Sequence, residues 1–168
     1  NQVMHAPVVA PLEDTNGDGK LNELDTPSVI FHTFAGGNYQ SDGVLRAISG
    51  KDGHELWTVT NPAYRTLPEG ELAVADLDGD GKMEIIAPKN GRGMIAFNYQ
   101  GQYQWQSPFP AWVGYGGAAI ADLDGDGKAE IVVGNTVINT DGSLRWQGNG
   151  FTGDNGGTGP LSVVADIN

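Results

Sequence analysis

The stretch ADLDGDGKMEII (75–86) returns almost unchanged as ADLDGDGKAEIV (121–132). Each copy runs from an apolar segment through an acidic, glycine-broken loop into a second apolar segment. A unit this short cannot bury its apolar face alone, so its repetition predicts stacked neighbours that share a core. The lead-in segment occurs four times, as PVVAPLED (7–14), LAVADLD (72–78), AAIADLD (118–124) and SVVADIN (162–168). The loops read DTNGDGKLNELD (14–25), DLDGDGKME (76–84) and DLDGDGKAE (122–130). A second landmark, Gly-x-x-x-Trp, follows each loop at a distance: Gly53 to Trp57, Gly101 to Trp105 and Gly142 to Trp146. A short apolar segment precedes each of these turns: LRAIS, MIAFN and TVINT.

Apolar runs are short and end at Gly, Asn, Asp or Pro, and no long stretch carries a 3.6-residue period. With 26 glycines and 9 prolines in 168 residues, this pattern predicts an all-β chain. Each repeat supplies strand, acidic loop, strand, loop, strand, tight turn and tryptophan strand, which is a four-stranded antiparallel meander. Meanders at this spacing predict β-propeller blades. A β-sandwich of similar hairpins is the alternative, but a sandwich has no reason to repeat every landmark in the same order. The expected division is a single partial β-propeller over 1–168. Blade 1 falls at about 7–60, blade 2 at about 71–107 and blade 3 at about 117–148. The first strand of a fourth blade falls at about 161–168. Blade 1 is the longest, with a twelve-residue loop and the insertion GGNYQSDG (36–43). The fourth copy stops inside its loop, which predicts a fragment of a larger propeller. The remaining blades of the parent chain, or self-association, would cover the open faces.

The net charge of −12 argues against nucleic acid, whose binding is driven by Lys and Arg against phosphates. It argues equally against anionic membrane surfaces, and no apolar run approaches the ~18 residues of a membrane-spanning segment. Cysteine is absent, so disulfides, thiolate metal sites and cysteine nucleophiles are excluded.

The acidic loops carry the clearest chemistry. Asp76, Asp78 and Asp80 stand at positions 1, 3 and 5 of their loop, Lys82 at 7 and Glu84 at 9. Alternate side chains of a curled loop point inward together, Gly81 permits the sharp turn, and the Lys82 carbonyl can face the same centre. This is the pattern of an EF-hand-type calcium loop over its first nine positions. Asp122, Asp124, Asp126, the Lys128 carbonyl and Glu130 repeat it. The first loop is a variant with Asp14, Asn16, Asp18, the Lys20 carbonyl, Asn22 and, at position 12, Asp25. A hairpin turn needs one Asp-Gly and not this set of acids. Three carboxylates within ~5 Å repel by about 1 kcal/mol per pair even in water. The expected cofactor is therefore Ca²⁺ at about three sites. Mg²⁺ fits less well, because it demands a tighter octahedral shell and keeps its waters.

The segments LAVADLDGDGKMEIIAPK and AAIADLDGDGKAEIVVGN resemble FG-GAP/VCBS-type repeats, the calcium-binding blades of integrin-α-like β-propellers. The resemblance implies that the named acidic residues ligate calcium. It also implies adhesion or recognition by a secreted or cell-surface protein, and extracellular calcium together with the absence of cysteine suits a bacterial one. The segment 47–57 is similar to the tryptophan-docking motif of quinoprotein-type propellers. That similarity implies that Trp57, Trp105 and Trp146 pack between blades, and it implies no quinone.

Hairpin parity places the calcium loops and the Gly-x-x-x-Trp turns on one face. The opposite face collects 32–43, 60–70, 107–117 and 148–160. These segments carry Tyr39, Tyr64, Trp112, Tyr115 and Phe151 among Asn, Asp and Gly, a composition suited to carbohydrate or protein ligands. Filling of gaps between blades is the competing role for these aromatics. His5, His32 and His54 all fall in the first repeat, with no metal-ligand spacing and no nucleophile beside them. The expected function is thus a non-catalytic binding module. The alternative is part of a calcium-dependent polysaccharide lyase, since some such lyases resemble this chain.

Overall fold

The computed structural model describes residues 2–110, 112–149 and 157–165. Twelve strands form three four-stranded sheets in the orders β1-β2-β3-β4, β5-β6-β7-β8 and β9-β10-β11-β12. Within the first sheet β1 is Val8–Ala10, β2 Ser28–Thr33, β3 Val44–Ile48 and β4 Glu55–Thr58. The second holds β5 Ala73–Ala75, β6 Glu84–Pro88, β7 Met94–Phe97 and β8 Tyr103–Ser107. The third holds β9 Ala119–Ala121, β10 Glu130–Val133, β11 Thr136–Ile138 and β12 Leu144–Gln147. All ladders are antiparallel and join strands adjacent in sequence, so each sheet is a meander. Among the described residues no helix is long and apolar enough to cross a membrane.

The three sheets stack as blades. Successive side chains of a strand point to opposite faces, and the middle blade uses both. Ile85, Ala87, Ile95 and Phe97 join Ile30, Leu45, Ala47 and Leu72 in the core against the first blade. Ile86, Met94 and Ala96 join Ile131, Val133 and Ile138 in the core against the third. That two-sided burial explains why EIIAP and MIAF read as continuous apolar runs rather than alternating ones. At about 25 cal/mol per Å², burial of one such side chain contributes roughly 1.5–3 kcal/mol.

The first strands approach one another, β1 beside β5 and β5 beside β9, whereas β12 is exposed along its length. The first strands therefore line the inner edge and the tryptophan strands the rim. Alanines 73, 75, 119 and 121 suit that inner edge, where small side chains let backbones converge. Each third-to-fourth hairpin carries a register shift at the same place, between Ala47/Ile48, Ala96/Phe97 and Val137/Ile138.

Of the expected fourth first strand, Leu161 makes one parallel bridge to Gly117, and 162–165 form no ladder. A first strand gains its ladder from the second strand of the same meander, and none pairs with it among the described residues. Residues 166–168 of that segment lie outside the description.

Candidate functional site

The acidic loops follow β1, β5 and β9, so all three leave the inner edge on the same side. In the second loop one Asp76 oxygen accepts from Gly79 N at 2.8 Å and the other from Gly81 N at 2.9 Å. Asp80 accepts from Lys82 N at 2.8 Å, and Glu84 reaches back to Leu77 N at 3.0 Å. The third loop repeats these bonds with Asp122 on Gly125 and Gly127, Asp126 on Lys128 N, and Glu130 on Leu123 N. Gly79 and Gly81 sit at φ of 78° and 82°, a region that favours glycine. The backbone therefore fixes the carboxylates before any ion arrives.

Asp76, Asp78 and Glu84 each offer an oxygen within 4.8 Å of the others, and so do Asp122, Asp124 and Glu130. Oxygens 2.3–2.6 Å from one Ca²⁺ lie at most about 5 Å apart across its shell. Both triads thus fit a hard, oxygen-seeking cation. Asp80 and Asp126 stand outside these triads. Asp80 instead pairs with Lys82 Nζ at 3.1 Å, and that ammonium lies 5.9 Å from the Tyr99 ring centroid. Burial, and then Asp78, Asp80 and Asp76, push the Glu84 carboxyl up to about 7 against the Leu77 N–H that lowers it. In the third loop Arg145 reaches Asp124 and Glu130, each at 2.6 Å.

The first loop is built differently. Asp14 accepts from Gly17 and Gly19 N, as its counterparts do, and Asp18 from Lys20 N at 2.9 Å. Buried Asp25 accepts from Thr15 N at 2.7 Å and from Asn22 N at 3.0 Å. It grips the second loop residue as Glu84 grips Leu77, and these bonds, led by Asn22, hold its carboxyl below the usual range. Asn16 donates to Asp18 at 3.2 Å, and Asn22 accepts from Leu24 N at 2.8 Å. With amides in those two places the loop forms no triad of carboxylates among the described residues.

The tryptophans join blade to blade. Trp57 Nε1 donates to the Tyr99 carbonyl at 3.0 Å. Its ring lies so close over Gly101 that a Cβ there would stand 2.6 Å from it. Trp105 covers Gly142 in the same way, at 2.5 Å. Trp146 is 51% exposed, and nothing lies within 4 Å of a Cβ built on Gly53.

On the opposite face, the segments entering β1, β5 and β9 carry His5, Glu69 and Tyr115, each three or four residues ahead of its strand. His5 and Tyr115 rings are 6.1 Å apart, and Tyr39 meets Phe34 edge-on at 6.4 Å. Contact with Tyr39, then burial, then the charge of Glu69 raise the Tyr115 phenol above its ordinary pKa. Tyr39, Tyr115, His5 and Glu69 thus gather at the mouth of the inner edge. His32 lies buried nearby, 2.8 Å from Thr66 Oγ1, and burial lowers it to about 3. His54 lies on the acidic-loop face beside Asp52, at 2.6 Å.

Tyr64 stands apart, stacked on Tyr103 at 4.4 Å and edge-on to Phe97, so it packs between blades. Trp112 is 45% exposed. Phe151 lies outside the described residues. Aromatics alone did not point to Glu69 or His5; their shared place before a first strand is the signal that finds them.

The repeated loop on the repeated meander is where a family match falls: residues 76–133 match the FG-GAP-like repeat family. In solved structures it is similar to the biofilm matrix protein Bap1 of V. cholerae, with 38% identity and a TM-score of 0.77. That match covers 88% of this chain and 25% of Bap1, so the chain spans a quarter of that length. Rhamnogalacturonan lyase YesW matches at 22% identity and TM-score 0.54, over 86% of this chain and 31% of its own. The Bacillus licheniformis rhamnogalacturonan lyase PL11 matches at 22% and 0.57, over the same shares. These two likenesses concern the fold. No curated protein matches the chain in sequence.

Proposed function

We propose that the chain is a non-catalytic, calcium-stabilised propeller segment of an extracellular bacterial protein, serving adhesion or recognition of carbohydrate or protein ligands. The observation that carries this is the pair of carboxylate triads, each converging within 4.8 Å on an outward-facing hairpin loop. Asp76, Asp78 and Glu84 would hold one ion, and Asp122, Asp124 and Glu130 a second. Asp14, Asp18 and Asp25, with the amide oxygens of Asn16 and Asn22, supply a weaker third. Calcium there offsets the mutual repulsion of the acids and pins β5 to β6 and β9 to β10. The similarity to a biofilm matrix protein supports an extracellular setting. The exposed Trp146 and uncovered Gly53 support further blades of a parent chain, or a second copy, as neighbours.

Extracellular sites of this kind bind at about 10⁻⁴–10⁻³ M, so a tenfold excess of calcium stabilises each by roughly 1.4 kcal/mol. Thermal melts in calcium and in chelator test the first half of the reading, with a higher midpoint expected in calcium. An identical midpoint in both refutes it. Turnover of pectic polysaccharide in the presence of calcium is the outcome that replaces a binding module with a lyase.

A further inference from the structure

The mouth opposite the acidic loops contains a carboxylate that the fold does not use. Glu69 is 1% exposed, and neither of its side-chain oxygens has a hydrogen-bond partner among the described residues. A buried carboxylate without donors opposes folding more than a glutamine or a leucine there would. His5 Nε2 is likewise buried without a partner among the described residues. Tyr39, Tyr115 and His5 are each half-buried; Tyr115 lies near this carboxylate and beside Tyr39, and His5 is 6.1 Å from the Tyr115 ring. Three blades contribute to the cluster, and Tyr39 comes from the insertion that only the first blade has.

The geometry points to a binding site for one neutral sugar residue of a glycan. Neighbouring hydroxyls of a pyranose donate to the two Glu69 oxygens, and its apolar ring face lies against Tyr39 and Tyr115. The His5 imidazole supplies one donor or acceptor. Entry requires Tyr39 to swing aside on its loop, where Gly36 and Gly37 have φ of 64° and 76°.

An acidic sugar fits badly, because its carboxylate would face Glu69, and neither Arg65 nor Arg46 is free to meet it. Arg65 is committed to Asp42 at 3.1 Å and to the Val59 carbonyl. Arg46 is committed to Thr33, Glu55 and Thr58. A cationic peptide would satisfy the charge of Glu69 but would leave the ring-lined walls without purpose. This inference rests on reading the chain as a recognition module.

The test is calorimetric titration of the calcium-loaded chain with three probes: neutral hexose oligosaccharides, oligogalacturonate and tetralysine. The expected result is binding of a neutral oligosaccharide alone. Glu69→Gln should weaken it about tenfold or more, since a charged acceptor is lost. Glutamine keeps the shape of the site, and an unchanged or raised melting midpoint shows that the variant folds. Tyr39→Phe, which removes only a hydroxyl, should weaken binding less. Preference for oligogalacturonate or tetralysine, or full affinity in Glu69→Gln, overturns the proposal. Neutral-glycan binding that ignores Glu69 but is lost in Trp112→Ala overturns this site and leaves the recognition reading standing. Binding of none of the probes, in a chain that calcium still stabilises, overturns both the site and carbohydrate recognition.

Discussion

Glu84→Gln should stabilise the protein without calcium and abolish most of the further stabilisation that calcium brings. In the metal-free fold the Glu84 carboxyl is raised from 4.5 to about 7, chiefly by burial and then by Asp78, Asp80 and Asp76. At 1.36 kcal/mol per pKa unit the full shift corresponds to about 3 kcal/mol. Glu84 is only half-buried, and solvent screening reduces this to about 1–2 kcal/mol. The raised value means that between pH 4.5 and 7 the folded chain keeps a proton that the unfolded chain has released. Stability of the metal-free protein therefore falls as pH rises through that window. At pH above 7 the whole penalty is present, and Gln removes it while still accepting from Leu77 N. For a chain of this size 1 kcal/mol moves the midpoint by roughly 2–4 °C, so the variant should melt about 2–8 °C later in chelator. In millimolar calcium the variant lacks one ligand carboxylate and forfeits up to the roughly 1.4 kcal/mol the ion supplies. The calcium-induced rise, about 3–6 °C in the parent, should therefore shrink toward zero in the variant, leaving the two midpoints close together in calcium. Differential scanning calorimetry of both proteins at pH 8, in chelator and in calcium, reads all four midpoints. An earlier melt of the variant in chelator, or a calcium-induced rise as large as the parent's, refutes the argument.

Two further substitutions probe the joints and the third loop. Gly101→Ala places a Cβ 2.6 Å from the Trp57 ring at a φ of 73°, whereas Gly53→Ala has a similar φ of 77° and open space. The first should cost about 2–4 kcal/mol and the second about 1–2; equal urea midpoints would remove the docking argument. Arg145 competes with any cation for Asp124 and Glu130. Arg145→Met should lower the melting midpoint in chelator and enlarge the calcium-induced rise, and an unchanged rise in paired melts speaks against that competition.

The sequence made legible whatever repeats at fixed spacing. Three acidic loops, three glycine turns and three tryptophans were enough to order twelve strands, because every hairpin joins neighbours in the chain. The particular partners of side chains distant along the chain were hidden. Trp57 bonds to a carbonyl 42 residues away, and Arg145 to a carboxylate 21 away; neither separation recurs as a local pattern. Within the loops, alternate spacing marked Asp80 and Asp126 as inward residues. In the structure Asp80 pairs with Lys82 Nζ, and Asp80 and Asp126 lie outside the two triads. On the opposite face Tyr39 and Tyr115 come together, but Tyr64 stacks on Tyr103. Glu69 escaped notice because a lone glutamate in a loop looks like ordinary surface until its neighbours close over it.

The indole-on-glycine joint gives the array a polarity. Every blade offers an indole at one flank and a bare backbone turn at the other, so blades concatenate in a single sense and two like flanks cannot mate. The three indoles therefore differ as optical reporters. Trp57 and Trp105 are sheltered, while Trp146, half open to water, emits as a surface chromophore until another blade or molecule caps it. Growth of the wheel by one sector is written into the colour of its terminal tryptophan.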